Sequence, residues 1–127
     1  MINNIGSPDN KIFSLRYDMC DVYVAIACDD GYIYICLELK KQIAYRLKDT
    51  NKNSNQPVTC VRWNPQLIQK DNILSTYSEG KCIYWQCSTQ KILKEFTESG
   101  NYINTCDISP DGYKFITAGS DSYSKTL

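Results

Sequence analysis

The sequence predicts an all-β fold of antiparallel, four-stranded sheets that repeat along the chain, and three observations carry that prediction. The frame Asp30-Gly31-Tyr-Ile-Tyr-Ile-Cys36 returns as Glu79-Gly80-Lys-Cys-Ile-Tyr-Trp85 and opens again as Asp121-Ser122-Tyr-Ser-Lys-Thr-Leu127. Its acidic residues stand 49 (30 to 79) and 42 (79 to 121) positions apart, a period suited to a unit of four short strands. Between them, short β-type runs are spaced by turn residues, and helix is hard to find.

The first repeat assigns strands to 12–17, 23–28, 32–37 and 42–47. Leu37 to Leu47 contains a Leu-Glu-Leu-Lys-Lys stretch of fair helical propensity, but it lies between two β-type runs. A hairpin turning at 40–42 accounts for it better. The second repeat places strands at 58–63, 73–77, 81–86 and 91–96, and the third at 102–108, 113–118 and from Tyr123. Aligned on the turn acid, Val24–Cys28, Ile73–Tyr77 and Phe115–Gly119 fall into register, each mixing small and large residues. The first strands match as well: Leu15-Arg-Tyr17-Asp18, Val61-Arg-Trp63-Asn64 and Cys106-Asp-Ile108-Ser109. Asn64-Pro65 and Ser109-Pro110-Asp111-Gly112 mark the turns after them, where Pro fixes one corner and Gly takes a positive φ. The chain therefore divides into a polar N-terminal segment (1–11), repeat one (12–47), an Asn-rich loop (48–56), repeat two (57–97) and a partial repeat three (101–127).

Composition narrows the function. Of 127 residues, 14 are basic and 14 acidic, which removes the electrostatic footprint of a nucleic-acid binder. No apolar run approaches the roughly 20 residues of a helical membrane span. Seven cysteines, an odd number with no secretory signal before them, read as reduced thiols of a cytosolic or nuclear protein. Without histidine, the commonest general base and the Ser-His and Cys-His nucleophile pairs are excluded. Cys82 and Cys87 have no second close pair to complete a zinc site, while Cys28, Cys60 and Cys106 read as small strand hydrophobes. No catalytic residue, cofactor or metal is expected.

Together these motifs resemble the WD40-repeat β-propeller family over residues 12–127, most closely in Ile103-Asn-Thr-Cys-Asp-Ile-Ser-Pro-Asp-Gly-Tyr-Lys-Phe-Ile-Thr-Ala-Gly-Ser-Asp121. The resemblance implies an incomplete propeller arc of about two and two-thirds divergent blades. The Gly-His pair that usually opens a repeat is absent, and Trp-Asp survives only as Trp85-Gln86. The family's Asp–His–Ser–Trp network therefore cannot form, at about 1 kcal/mol for each neutral bond unmade, and apolar packing is expected to dominate. An isolated arc would expose a blade face at each end, which suggests a piece of a longer polypeptide, a truncated product or a chain completed by another.

Asp30, Glu79 and Asp121 are expected to fix their hairpin turns by accepting backbone N–H bonds. By position in the family, Asp29, Ser78 and Ser120, with Asn101, Tyr102 and Asn104, are the candidate partner-binding residues, and Tyr102 leads them. The expected function is a non-catalytic protein–protein interaction scaffold in a cytoplasmic assembly, with cytoskeleton, cilium and nucleus as compatible settings. Its partners would be other proteins, further blades of the same polypeptide, or a second copy through exposed blade faces. The alternatives are part of a propeller-containing enzyme whose catalytic groups lie elsewhere, and a nonfunctional truncation.

Overall fold

The computed structural model describes residues 9–49, 56–98, 100–120 and 122–127, with 122–126 taken for their backbone. Among these, eleven strands form three antiparallel sheets. The first comprises β1 (Ile12–Tyr17), β2 (Tyr23–Cys28), β3 (Tyr32–Leu37) and β4 (Gln42–Lys48), each hydrogen-bonded to the next. The second repeats that order with β5 (Val58–Trp63), β6 (Asn72–Tyr77), β7 (Lys81–Gln86) and β8 (Lys91–Thr97). The third has β9 (Ile103–Ile108), β10 (Lys114–Gly119) and β11 (Ser122–Thr126). A 3-10 turn at Leu67–Gln69 fills the longer β5–β6 connection.

The repeats agree in detail. A register shift occurs early in the first strand of every sheet, at Ile12/Ser14, at Val58/Cys60, and on β9 opposite Ala118/Gly119. Phe13, Thr59 and Asn104 are thus the extra residues of three equivalent bulges. Lys41 and Gln90 hold the equivalent corners of the β3–β4 and β7–β8 hairpins with φ of 52° and 56°.

Strand alternation sends two side-chain sets to opposite faces of each sheet, and two of the three cores lie between sheets. Ala25, Ala27, Ile33, Ile35 and Leu47 of the first sheet meet Val58, Val61, Ile73, Tyr77, Ile83 and Trp85 of the second. Cys60, Leu74, Cys82 and Tyr84, from the opposite face of the second sheet, meet Ile103, Cys106, Ile108 and Phe115 of the third. Full burial of each large apolar side chain stabilises by about 1.5–3 kcal/mol, so these seams hold the arc together. The first strands of neighbouring sheets also bond directly. Trp63 Nε1 donates to the Arg16 carbonyl at 3.0 Å, and Thr59 Oγ1 to the Ile103 carbonyl at 2.8 Å.

The expected loss of the family network needs amending. In the second sheet Trp85 Nε1 donates to buried Ser75 Oγ at 2.9 Å, and the Tyr77 hydroxyl lies 3.4 Å from that oxygen. Part of the network thus survives without histidine. In the first sheet the two positions are Ile26 and Cys36, both buried, so packing replaces hydrogen bonding.

Candidate partner-docking face

The β2–β3, β6–β7 and β10–β11 turns lie at the same end of their sheets. In each copy the residue before the acid donates its N–H to the carbonyl of the residue just before the sheet's first strand. The bonds are Asp29 to the Lys11 carbonyl (2.8 Å), Ser78 to Pro57 (3.3 Å) and Ser120 to Tyr102 (3.0 Å). One step earlier stand Asn10, Gln56 and Asn101. Asn10 Oδ1 accepts from Asp30 N at 3.0 Å, and Gln56 Oε1 accepts from Glu79 N at 3.1 Å. These amide side chains fix the turns, and the sequence reading passed over Asn10 and Gln56. The available signal was their offset from the acid: 20 residues before Asp30 (10 to 30), 23 before Glu79 (56 to 79) and 20 before Asp121 (101 to 121).

The turn acids do not act alike. Asp30 Oδ1 accepts from Tyr32 N at 2.9 Å, closing the turn two residues on, while Oδ2 accepts from the Tyr34 hydroxyl (2.8 Å) and Asn10 Nδ2 (3.1 Å). Burial first, then that bond to an anionic carboxylate, push the Tyr34 phenol up to about 12. Glu79 departs from the expected role. Its carboxylate is exposed and makes no hydrogen bond among the described residues, because one more methylene carries it past the turn amides. Gly80 N bonding to the Tyr77 carbonyl at 3.1 Å closes that turn, as Gly31 N bonding to the Cys28 carbonyl at 3.3 Å does in the first sheet. Asp121 lies outside the described residues.

Adjacent repeats interlock along this end. A Cβ on Gly80 would come within 2.2 Å of the Glu98 carbonyl oxygen and 2.8 Å of that of Asn101. Glu98 N in turn donates to the Gly80 carbonyl at 2.7 Å. Beneath this contact the Glu98 carboxylate is buried, accepting from Thr117 Oγ1 at 3.0 and 3.2 Å and from Asn101 Nδ2 at 2.9 Å. At the corresponding place after β4, buried Asp49 is paired with Lys81 at 2.6 Å. The two buried carboxylates follow the same logic: each is held by donors from the next repeat.

The candidate partner-binding residues therefore separate. Asn101 is 2% exposed and committed to Glu98, so it braces the face and is not available to a partner, which corrects its assignment. Asn104 is exposed but lines a groove between the first strands, apart from the turns. Asp29 and Ser78 are half-buried, and Ser120 is exposed. Tyr102 is 66% exposed beside a shallow pocket of about 220 Å³ that it lines with Glu79, Gly100 and Asn101. Its backbone is fixed from both sides, because Tyr102 N also donates to Ser120 Oγ at 2.8 Å. Groups of three or more metal-ligating side chains are absent among the described residues. No helix there is long and apolar enough to cross a membrane.

The family model for WD40, described as WD domain, G-beta repeat, matches residues 90–125, from the start of β8 to within β11. No curated protein matches the chain. The matched segment spans the last strand of one sheet and the first three of the next. Since the two preceding sheets repeat its strand order, bulges and turns, the chain has the fold of an incomplete WD40-type β-propeller arc and carries a WD40 repeat at residues 90–125.

Proposed function

We propose that this arc is a non-catalytic scaffold segment that docks another protein on the turn face, in an intracellular assembly of the cytoskeletal or ciliary kind. WD40 repeats are interaction modules, which supports the scaffold role in general. The single observation that carries the site is Tyr102: an exposed aromatic ring on a backbone held by Ser120 at both N–H and carbonyl. Such a side chain offers apolar area and a polar tip with little ordering cost on binding. Ser120, Ser78 and Asp29 supply polar neighbours on the same end, and the exposed Glu79 carboxylate adds negative charge beside the ring.

The outward face of the first sheet is a second contact region, suited to a further blade. Leu15 and Tyr17 occupy the positions of Val61 and Trp63, which pack toward the preceding sheet, yet both are exposed.

A photo-crosslinking residue at position 102, compared with one at exposed Tyr113 in the β9–β10 turn at the opposite end, tests the docking face. The proposal expects a discrete protein adduct from 102 and none from 113. The same adducts from both positions would refute it.

A further inference from the structure

Cys60 on β5 and Cys106 on β9 meet at the seam between the second and third sheets, and their surroundings differ from those of the other buried thiols. Arg62 Nη1 donates to Cys60 Sγ at 3.1 Å. Thr105 Oγ1 lies 3.7 Å from the same sulfur and the Cys106 carbonyl 3.9 Å. Cys106 packs in the same buried cluster as Cys60. Both cysteines are buried, and burial alone would favour the neutral thiol, as it does at Cys28 and Cys87. Here the Cys106 hydrogen bond, then Thr105 and the Arg62 charge, outweigh burial and hold the Cys60 thiol well below its ordinary range. The same bond and burial push Cys106 up. The charged groups at the pair are Arg62 on β5 and Asp107 on β9, whose carboxylate is 4.0 Å from Arg62 Nε. Cys82 on β7 is the remaining titratable neighbour. Cys60, Arg62 and Thr105 also line a groove of about 360 Å³ with Ser14 and Arg16 of β1, which gives a small solute a route toward the sulfur.

We propose that Cys60 is a peroxide-reactive thiol and Cys106 its resolving partner, so that oxidation closes a disulfide across the seam between the second and third blades. The Cys60 thiolate attacks hydrogen peroxide, forming an S–O bond as the O–O bond breaks. The departing hydroxide takes up the proton shed when Cys60 ionised and leaves as water. The Cys106 sulfur then attacks the sulfenic sulfur, forming the S–S bond as the S–O bond breaks. The expelled hydroxide leaves as a second water with the Cys106 proton. Two thiols together lose two electrons, and one peroxide gains them. The product ties β5 to β9 covalently and fixes the groove wall, and a thiol reductant reverses it.

Limited peroxide treatment of the full chain at neutral pH, followed by non-reducing peptide mapping, tests this with exposed Cys20 as internal control. The expected result is a Cys60–Cys106 cross-link formed about tenfold faster than Cys20 is oxidised. In Cys106→Ser, Cys60 should gain one oxygen atom and no cross-link. In Arg62→Met, oxidation of Cys60 should slow about tenfold while the circular dichroism spectrum is unchanged. Cys20 reacting first, or Arg62→Met reacting at the parent rate, would overturn the proposal. If Arg62→Met does not fold, Cys60→Ser decides: Cys106 should then stay reduced at peroxide levels that oxidise the parent, and its oxidation at the parent rate would overturn the proposal.

Discussion

Asp30 and Glu79 hold the same place in two copies of one motif and differ by a methylene group, and that difference decides what each does. The shorter side chain reaches the amide two residues on and also ties Tyr34 and Asn10; the longer one points into solvent. The sequence shows that the position repeats, but the reach of the side chain depends on turn geometry that only the fold supplies. Asn101 teaches the complementary lesson. Its place at the start of a repeat suggested a surface role, whereas it is buried and bonds Glu98, whose carboxylate also accepts from Thr117, 19 residues on from Glu98. Tyr34 makes the Asp30 cluster measurable. The fold favours its neutral phenol, so the stability it contributes is complete below the ordinary phenol range and drains away as pH rises from about 10 toward about 12. Denaturant unfolding at stepped alkaline pH should therefore show a shallower decline for Tyr34→Phe than for the parent. Parallel declines would remove Tyr34 from that role.

Strands were the most legible elements. β1, β2, β3, β5 and β7 run as alternation and turn residues indicated, and the other expected strands differ by a residue or two at their ends. The connections were less legible because their partners are remote. Asn64 reads in sequence as half of an Asn-Pro turn. In the fold it is fully buried, and its Nδ2 contacts the Tyr84 hydroxyl (2.8 Å), Gln69 Oε1 (3.0 Å) and the Gly112 carbonyl (3.1 Å). Gly80 is a sharper case: the sequence explains a glycine in the turn, but not that the next blade's lead-in lies against it. With φ of 94° and carbonyl oxygens 2.2 and 2.8 Å from a would-be Cβ, Gly80→Ala combines backbone strain with a clash. It should cost about 3 kcal/mol. Gly100→Ala, with φ of 79° and nothing within 4 Å, should cost about 1 kcal/mol from strain alone. Equal midpoints for the two variants in denaturant melts would show that the turn and the following loop do not press on each other.

At the scale of the whole molecule, each sheet is thin and its stability is borrowed from neighbours. Two of the three cores lie between sheets, with Ile33 and Ile35 of the first set against Ile83 and Trp85 of the second, while Val24, Ile26, Cys28 and Cys36 cluster on the first sheet alone. The sequence exposed the repetition, and from it the dependence of each blade on the next. It could not show how the divergent first blade, with Ile26 and Cys36 where the second has Ser75 and Trp85, compensates by burying apolar groups. The most direct test is Ile35→Ala, a truncation on the first sheet that should cost about 3 kcal/mol, read by native-state hydrogen exchange strand by strand. Mutual dependence of the blades predicts that protection falls in β6 and β7 of the second sheet together with β2 and β3 of the first. Loss confined to the first sheet, with β6 and β7 protected as before, would contradict it.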